Sequence, residues 1–254
     1  MGPASVLVCP FGVLVGSSSM ALDVYVGGFA RYYSREWENV VQKHCRETGK
    51  TYQQISPGGE PQAADWKEVE SAVGGWIDAL NGGLGSNLPE PLGWDESRDA
   101  PYFTDRPGYE GYGALSLWAA YAEVEKTPPT DFPENWLEDE VYLKAVGNFD
   151  PEAKSLRVIH STQVWLPGDF RFSFDCQDLT GEPVHIASSA GLLECLEAVN
   201  EHTFQLNEED KAEALKGDFA EEPKLEEWAR YGFAVFEALA RKAEENRLPM
   251  FLDQ

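Results

Sequence analysis

Leu22, Val24 and Val26 alternate with Asp23 and Tyr25, a period of two that predicts a half-buried strand ending at Gly27-Gly28. A helix is expected next. Ser34 can cap it, Trp37, Val40, Val41 and Cys45 fall on one face, and Gly49 supplies a left-handed stop. Asp65 and Glu68 then form a capping-box-like pair ahead of Trp66, Val69, Val73, Trp76, Ile77 and Leu80, the cleanest helical stripe in the chain, closed by Asn81-Gly82-Gly83. Gly74 and Gly75 each cost about 1 kcal/mol relative to Ala inside a helix, so they predict a kink or a close backbone approach.

Further along, an apolar helix is expected from about Ala114 to Glu125, stopped by Pro128-Pro129, and another from Asp131 with Trp136, Leu137 and Val141 inward. Past Asp150-Pro151 the pattern turns strand-like: Val158, Gln163 to Leu166, and alternating Phe170, Phe172 and Phe174, then Val184 and Ile186. Pro167-Gly168-Asp169 and Leu179-Thr180-Gly181 supply the turns. This predicts an antiparallel meander of about three strands. Ser188 or Ser189 caps a helix carrying Leu192, Leu193, Leu196 and Val199, and a long helix opens near Pro223. That last helix turns Leu225, Trp228, Val235, Phe236 and Leu239 inward and leaves Glu226, Glu227, Arg230 and Glu237 solvated. The expected class is α+β, an antiparallel meander packed with several amphipathic helices. Residues 20–254 read as a single domain, with a sub-boundary available near 127–131, and no fixed-period repeat appears.

Composition sharpens the choice of partner more than the fold. The 254 residues are 43% hydrophobic and 12% aromatic, enough for a substantial core, yet Lys+Arg 20 against Asp+Glu 44 gives a formal net charge of -24. A field of that sign repels phosphate backbones and anionic membranes and attracts basic proteins, so neither nucleic acid nor membrane is an expected partner. Cys9, Cys45, Cys176 and Cys195 stand far apart, which suits free thiols in a reducing, cytoplasmic compartment. Residues 1–19 hold two short apolar runs broken by Pro10 and Gly12, with no Lys or Arg before Arg31. That pattern fits neither a signal peptide nor a membrane span, and a weakly ordered leader before a natural start at Met20 is expected.

The chemistry is sparse. No phosphate-binding loop, dinucleotide fingerprint, nucleophile elbow or zinc-hydrolase pattern occurs, and catalytic residues are not identified. His44 beside Cys45 is the one close His/Cys pair, and adjacent helical positions diverge, so neither a metal site nor a cofactor is expected. His160, His185 and His202 are isolated and read as structural, with His185 on the outer face of a strand. The irregular stretch from Leu84 to Gly113 sets Asp95, Glu96, Arg98, Asp99, Asp105 and Arg106 among Trp94, Tyr102, Phe103, Tyr109 and Tyr112, and Trp94, Asp95, Asp99, Tyr102, Asp105, Arg106 and Tyr109 are its candidate site residues. Either the rings pin this loop to the core while the charges face water, or the loop is a ligand or partner site. In the second case its aspartates serve as acid, base or cation ligand beside a stacking wall, as paired carboxylates do in glycoside hydrolysis.

The segments Leu22-Asp23-Val24-Tyr25-Val26-Gly27, Arg31-Tyr32-Tyr33 with Trp37, Pro101-Tyr102-Phe103-Thr104-Asp105 and Gly111-Tyr112-Gly113-Ala114-Leu115 give the chain from Met20 a look similar to a group of bacterial proteins of like length and unknown function. That resemblance implies a soluble bacterial protein and brings no activity with it. Two functional expectations stand: a non-enzymatic, immunity- or antitoxin-like module docking a basic partner through complementary charge, and an enzyme or small-ligand binder using loop 94–112. A charge that serves solubility alone is the third.

Overall fold

The computed structural model describes residues 22–51, 64–147 and 156–253. The expected leader, residues 1–19, and Cys9 lie outside them.

The first strand is β1 (Asp23–Val26), buried at all four positions rather than half-buried. Its neighbours explain why: β1 pairs antiparallel with β2 (Phe103–Asp105) on one side and with β6 (Met250–Asp253) on the other, and both faces are covered. β3 (Val164–Leu166) pairs antiparallel with β6 and parallel with β5 (Pro183–Ser188), and β4 (Phe174–Gln177) closes the edge as a hairpin on β5. The sheet order is β2-β1-β6-β3-β5-β4. The α+β class holds, but the expected meander shrinks to the β4–β5 hairpin, because β3 passes over β4 to reach β5 in parallel. Val158 lies in a helix, not a strand.

Side-chain alternation splits the core in two. Val24, Val26, Trp165, Ala187, Met250 and Leu252 face one layer; Tyr25, Val164, Leu166, Ile186 and Phe251 face the other. On the first face pack α4 (Gly108–Glu123), α5 (Glu140–Gly147), α6 (Arg157–His160), α7 (Ser189–Val199) and α9 (Leu225–Asn246). On the second lie α1 (Phe29–Tyr33) and α3 (Trp66–Leu84). The remaining helices are α2 (Val40–Thr48) and α8 (Glu208–Ala214).

The helix starts follow side-chain capping. Asn39, not Ser34, caps α2 through a reciprocal bond with Gln42, and Gly49 ends it in the left-handed region as expected. Asp65 caps α3 alone, accepting from Lys67 and Glu68. That helix runs on through Asn81-Gly82-Gly83 to Leu84, and the Asn81 amide turns aside to bind both the N–H and the C=O of Leu92. Gly74 and Gly75 mark no close approach, since a Cβ at either meets nothing within 4 Å. The close approaches lie in α4, which opens six residues earlier than expected. Gly111 rests against Gly232 of α9, and Gly113 lies under the indole of Trp136. After Asp131 the chain forms only a short 3-10 turn, Trp136–Glu138, before α5. Trp136 is buried there, while Leu137 points out at 45% exposure. Glu237 is the other correction, being buried at 8% within α9 and paired with Lys211 and Arg241.

Candidate functional site

The turn Gly27-Gly28 leads from β1 directly into α1, and no side chain of its own caps that helix. Glu96, from the aromatic loop, does so at a distance. Its carboxylate accepts from the N–H of Phe29 at 2.9 Å and of Ala30 at 2.7 Å, and the Trp94 indole N–H also donates to it. A Cβ on Gly28 would sit 2.7 Å from the Glu96 carboxylate, so the glycine is what admits the acid. Burial raises the Glu96 carboxyl above the ordinary range, against the pull of its backbone donors.

Beside this cap stands an aromatic nest. The buried Tyr25 donates its hydroxyl to the Gly28 carbonyl at 3.1 Å, and its ring meets Trp37 at 4.9 Å, Tyr32 at 5.3 Å and Tyr102 at 6.2 Å. Arg31 and Lys43 lie over the Tyr102 ring at 5.0 and 4.6 Å. Burial pushes the Tyr25, Tyr32 and Tyr33 hydroxyls well above their ordinary value, so all three serve as donors.

The third part is a carboxylate cluster at one end of three neighbouring strands. Asp23 pairs in register with Asp253, and Asp105 lies opposite Val24. Arg106 holds Asp23, while the Tyr32 hydroxyl donates to Asp253. Burial, then the nearby Asp23 charge, raises the Asp253 carboxyl. Asp105 is likewise raised by burial, opposed by the Arg106 N–H at 2.8 Å. The Tyr231 hydroxyl donates to the Arg106 carbonyl at 2.7 Å and is pushed up to about 12, chiefly by burial.

The seven residues singled out in the loop are distributed over both faces of the sheet. Trp94 packs on Phe29 and Trp76, and Tyr102 on Tyr25, within the second core layer. Asp105 and Arg106 join the carboxylate cluster. Tyr109 packs on Trp136 in the first layer, and Asp95 and Asp99 are exposed, Asp95 accepting from the Ser97 N–H, which lowers its carboxyl. The rings thus pin the loop; Glu96 reads in the sequence only as one of the loop's charges, not as a cap, and Asp23, Asp253 and Tyr32 carry no signal as site residues. Gly27-Gly28 after a strand was the available signal, and the partner of that close approach is remote in sequence.

Two of the four histidines are held locally: His160 is buried with Nδ1 2.9 Å from the Ser161 hydroxyl, and His185 Nδ1 lies 2.8 Å from Asp175. Among the described residues, no group of three or more His, Cys, Asp or Glu is placed to hold a metal ion, and no helix is long and apolar enough to cross a membrane.

Away from the nest, exposed acidic residues gather along α8, the chain after it and the start of α9. Glu208, Glu209, Asp210, Glu213, Asp218, Glu221, Glu222 and Glu226 are exposed, and the Lys224 bridge to Asp131 brings Glu134 and Glu138 into the same region. Its cations are already engaged: Lys211 by Glu208 and Glu237, Lys216 by Glu213, Lys224 by Asp131, and Arg230 by Glu226. Comparison with known proteins found no matching family model, no matching curated protein and no matching solved structure.

Proposed function

We propose that this protein is a non-enzymatic binding module whose acidic face, along residues 208–226, docks a basic protein. The observation that carries this reading is the internal pairing of the lysines and arginine on that face. Each of these cations is already matched to a neighbouring carboxylate, so on this face Glu209, Asp218, Glu221 and Glu222 stand in excess of the cations and leave a net negative charge among the described residues. Uncompensated charge of one sign accelerates association with an oppositely charged partner and sets its orientation. The exposed Leu137 and Leu215, on the turn before α5 and just after α8, add apolar contact of the kind an interface core uses.

The test is kinetic. A basic partner isolated on the immobilised full chain is measured for association rate at about 0.05 M and 0.5 M salt, where screening lengths differ roughly threefold. The rate is expected to fall at least about tenfold, and to fall similarly at low salt in a chain carrying Glu209→Gln, Asp218→Asn, Glu221→Gln and Glu222→Gln. Equal rates at both salts overturn the reading.

A second reading, a ligand binder or enzyme at the sheet end, draws on the raised carboxyls of Asp105 and Asp253 beside Arg106 and Tyr32. It requires that Asp105→Asn abolish ligand-induced stabilisation while the fold persists.

A further inference from the structure

Leu206 and Leu225 are buried, and between them no residue from Asn207 to Lys224 is. The segment contains α8, whose sequence Glu-Glu-Asp-Lys-Ala-Glu-Ala offers no apolar stripe to bury. It carries seven carboxylates against three lysines, so its own charges push it apart. The capping box of Asn207 and Asp210 shapes α8 but does not tie it to the rest of the protein.

Among the described residues, two side-chain contacts do most of that work. Lys211 extends its ammonium to Glu237 at 2.8 Å, with side chains 13% and 11% exposed, and Arg241 reaches the same carboxylate at 2.6 Å. Glu237 stands in α9 among the buried Phe233, Ala234, Val235, Phe236 and Leu239, where a carboxylate is costly unless cations match it. Eight residues on from Lys211, Phe219 lies 4.0 Å from the Trp228 ring and 5.3 Å from Tyr231, ring centroid to ring centroid. Gly217, at φ 64 in the left-handed region that favours glycine, turns the chain between the two contacts, and the Tyr231 ring lies 3.5 Å from where its Cβ would stand. The remaining tie, Lys224 to Asp131, is exposed at both ends and holds little.

We propose that residues 207–224 form a strap that opens from α9 as one unit, latched by Lys211 in Glu237 and by Phe219 on Trp228 and Tyr231. Opening pivots at Asn207, just past the buried Leu206 that the Asn200 amide holds by both its N–H and its C=O, and at Pro223 ahead of α9, and it uncovers Trp228, Tyr231 and Glu237. An element with no buried side chain and few anchors belongs at the low end of a protein's local stability range, and two anchors on opposite sides of a tight turn make its release cooperative. The strap carries Glu209, Asp218, Glu221 and Glu222 of the acidic face, yet its opening does not rest on the docking reading, since it needs no partner.

Native-state hydrogen exchange on the full chain, read by mass spectrometry, tests this. The amides of Lys211 and Leu215, bonded to the carbonyls of Asn207 and Lys211, report on α8. Lys211→Met and Phe219→Ala are each expected to speed exchange across the whole of 208–222 by roughly tenfold or more, with residues 229–243 of α9 unchanged. Glu237→Gln serves as the second latch variant should the methionine in Lys211→Met pack on α9 in place of the lost bond. Acceleration confined to the substituted half of the strap, equal acceleration in α9, or no change in both latch variants overturns the proposal.

Discussion

Arg106 and Asp23 form a two-pronged ion pair at the end of the sheet, with Nε 2.6 Å from Oδ1 and Nη2 2.7 Å from Oδ2. Asp23 is all but buried, its side chain 4% exposed, so the guanidinium is what allows a charge there. Arg106→Met is expected to lower unfolding free energy by about 3 kcal/mol, because it leaves an unmatched carboxylate inside. Asp23→Asn with Arg106→Met should recover much of that loss. Urea titration of the two variants checks both figures.

Glu96 caps α1 from outside that helix's own sequence. Glu96→Ala strands the Phe29 and Ala30 N–H groups and is expected to cost about 2 kcal/mol, while Glu96→Gln, which keeps one acceptor oxygen, costs less. Thermal unfolding distinguishes the two. Equal losses would assign the effect to packing on Trp94 rather than to the cap.

Glycines of α3 and α9 make opposite predictions. A Cβ at Gly232 would run into the Gly111 carbonyl, so Gly232→Ala is expected to destabilise by about 3 kcal/mol as α4 and α9 are forced apart. At Gly74 the added methyl meets nothing within 4 Å, and Gly74→Ala should stabilise by about 0.5–1 kcal/mol through helix propensity. Denaturant midpoints of the two single variants carry the comparison.

The raised carboxyls of Glu96, Asp105 and Asp253 give stability an unusual slope with pH. A folded-state carboxyl raised above its unfolded value binds protons that the unfolded chain has released. Its contribution is therefore complete below the ordinary value near 4 and is lost as pH climbs through the raised one. Asp253→Asn keeps an acceptor for the Tyr32 hydroxyl and removes the titration. The variant is expected to lose less stability than the parent on going from about pH 4 to pH 7, which unfolding at a series of pH values measures.

Local patterns in the chain carried local structure well. The stripe of α3, the Asp65 cap, the Gly49 stop and the Ser188 cap are all in place, because each depends on residues within a turn or two of one another. The start of α4 was hidden because Gly108, Gly111 and Gly113 count against a helix, whereas here two of them admit Gly232 and Trp136. Sheet order was hidden for a different reason. Val26 pairs with Met250 and Val164 with Ile186, and nothing in the alternation of either strand names its partner or its direction. The loop residues were found as a group and their aromatic packing role was readable; the Glu96 cap and the Asp23–Arg106 pair span 66 and 83 residues and were not.

β6 lies between β1 and β3, and it follows every other strand of the described residues along the chain. Until Met250–Asp253 emerges, the nascent chain holds a β1–β2 pair and a β3–β5–β4 group with no strand to join them, each presenting an open edge. The sheet therefore cannot close during synthesis of the strands before β6. Its completion is a long-range step, and before it those open edges are available for pairing with other chains.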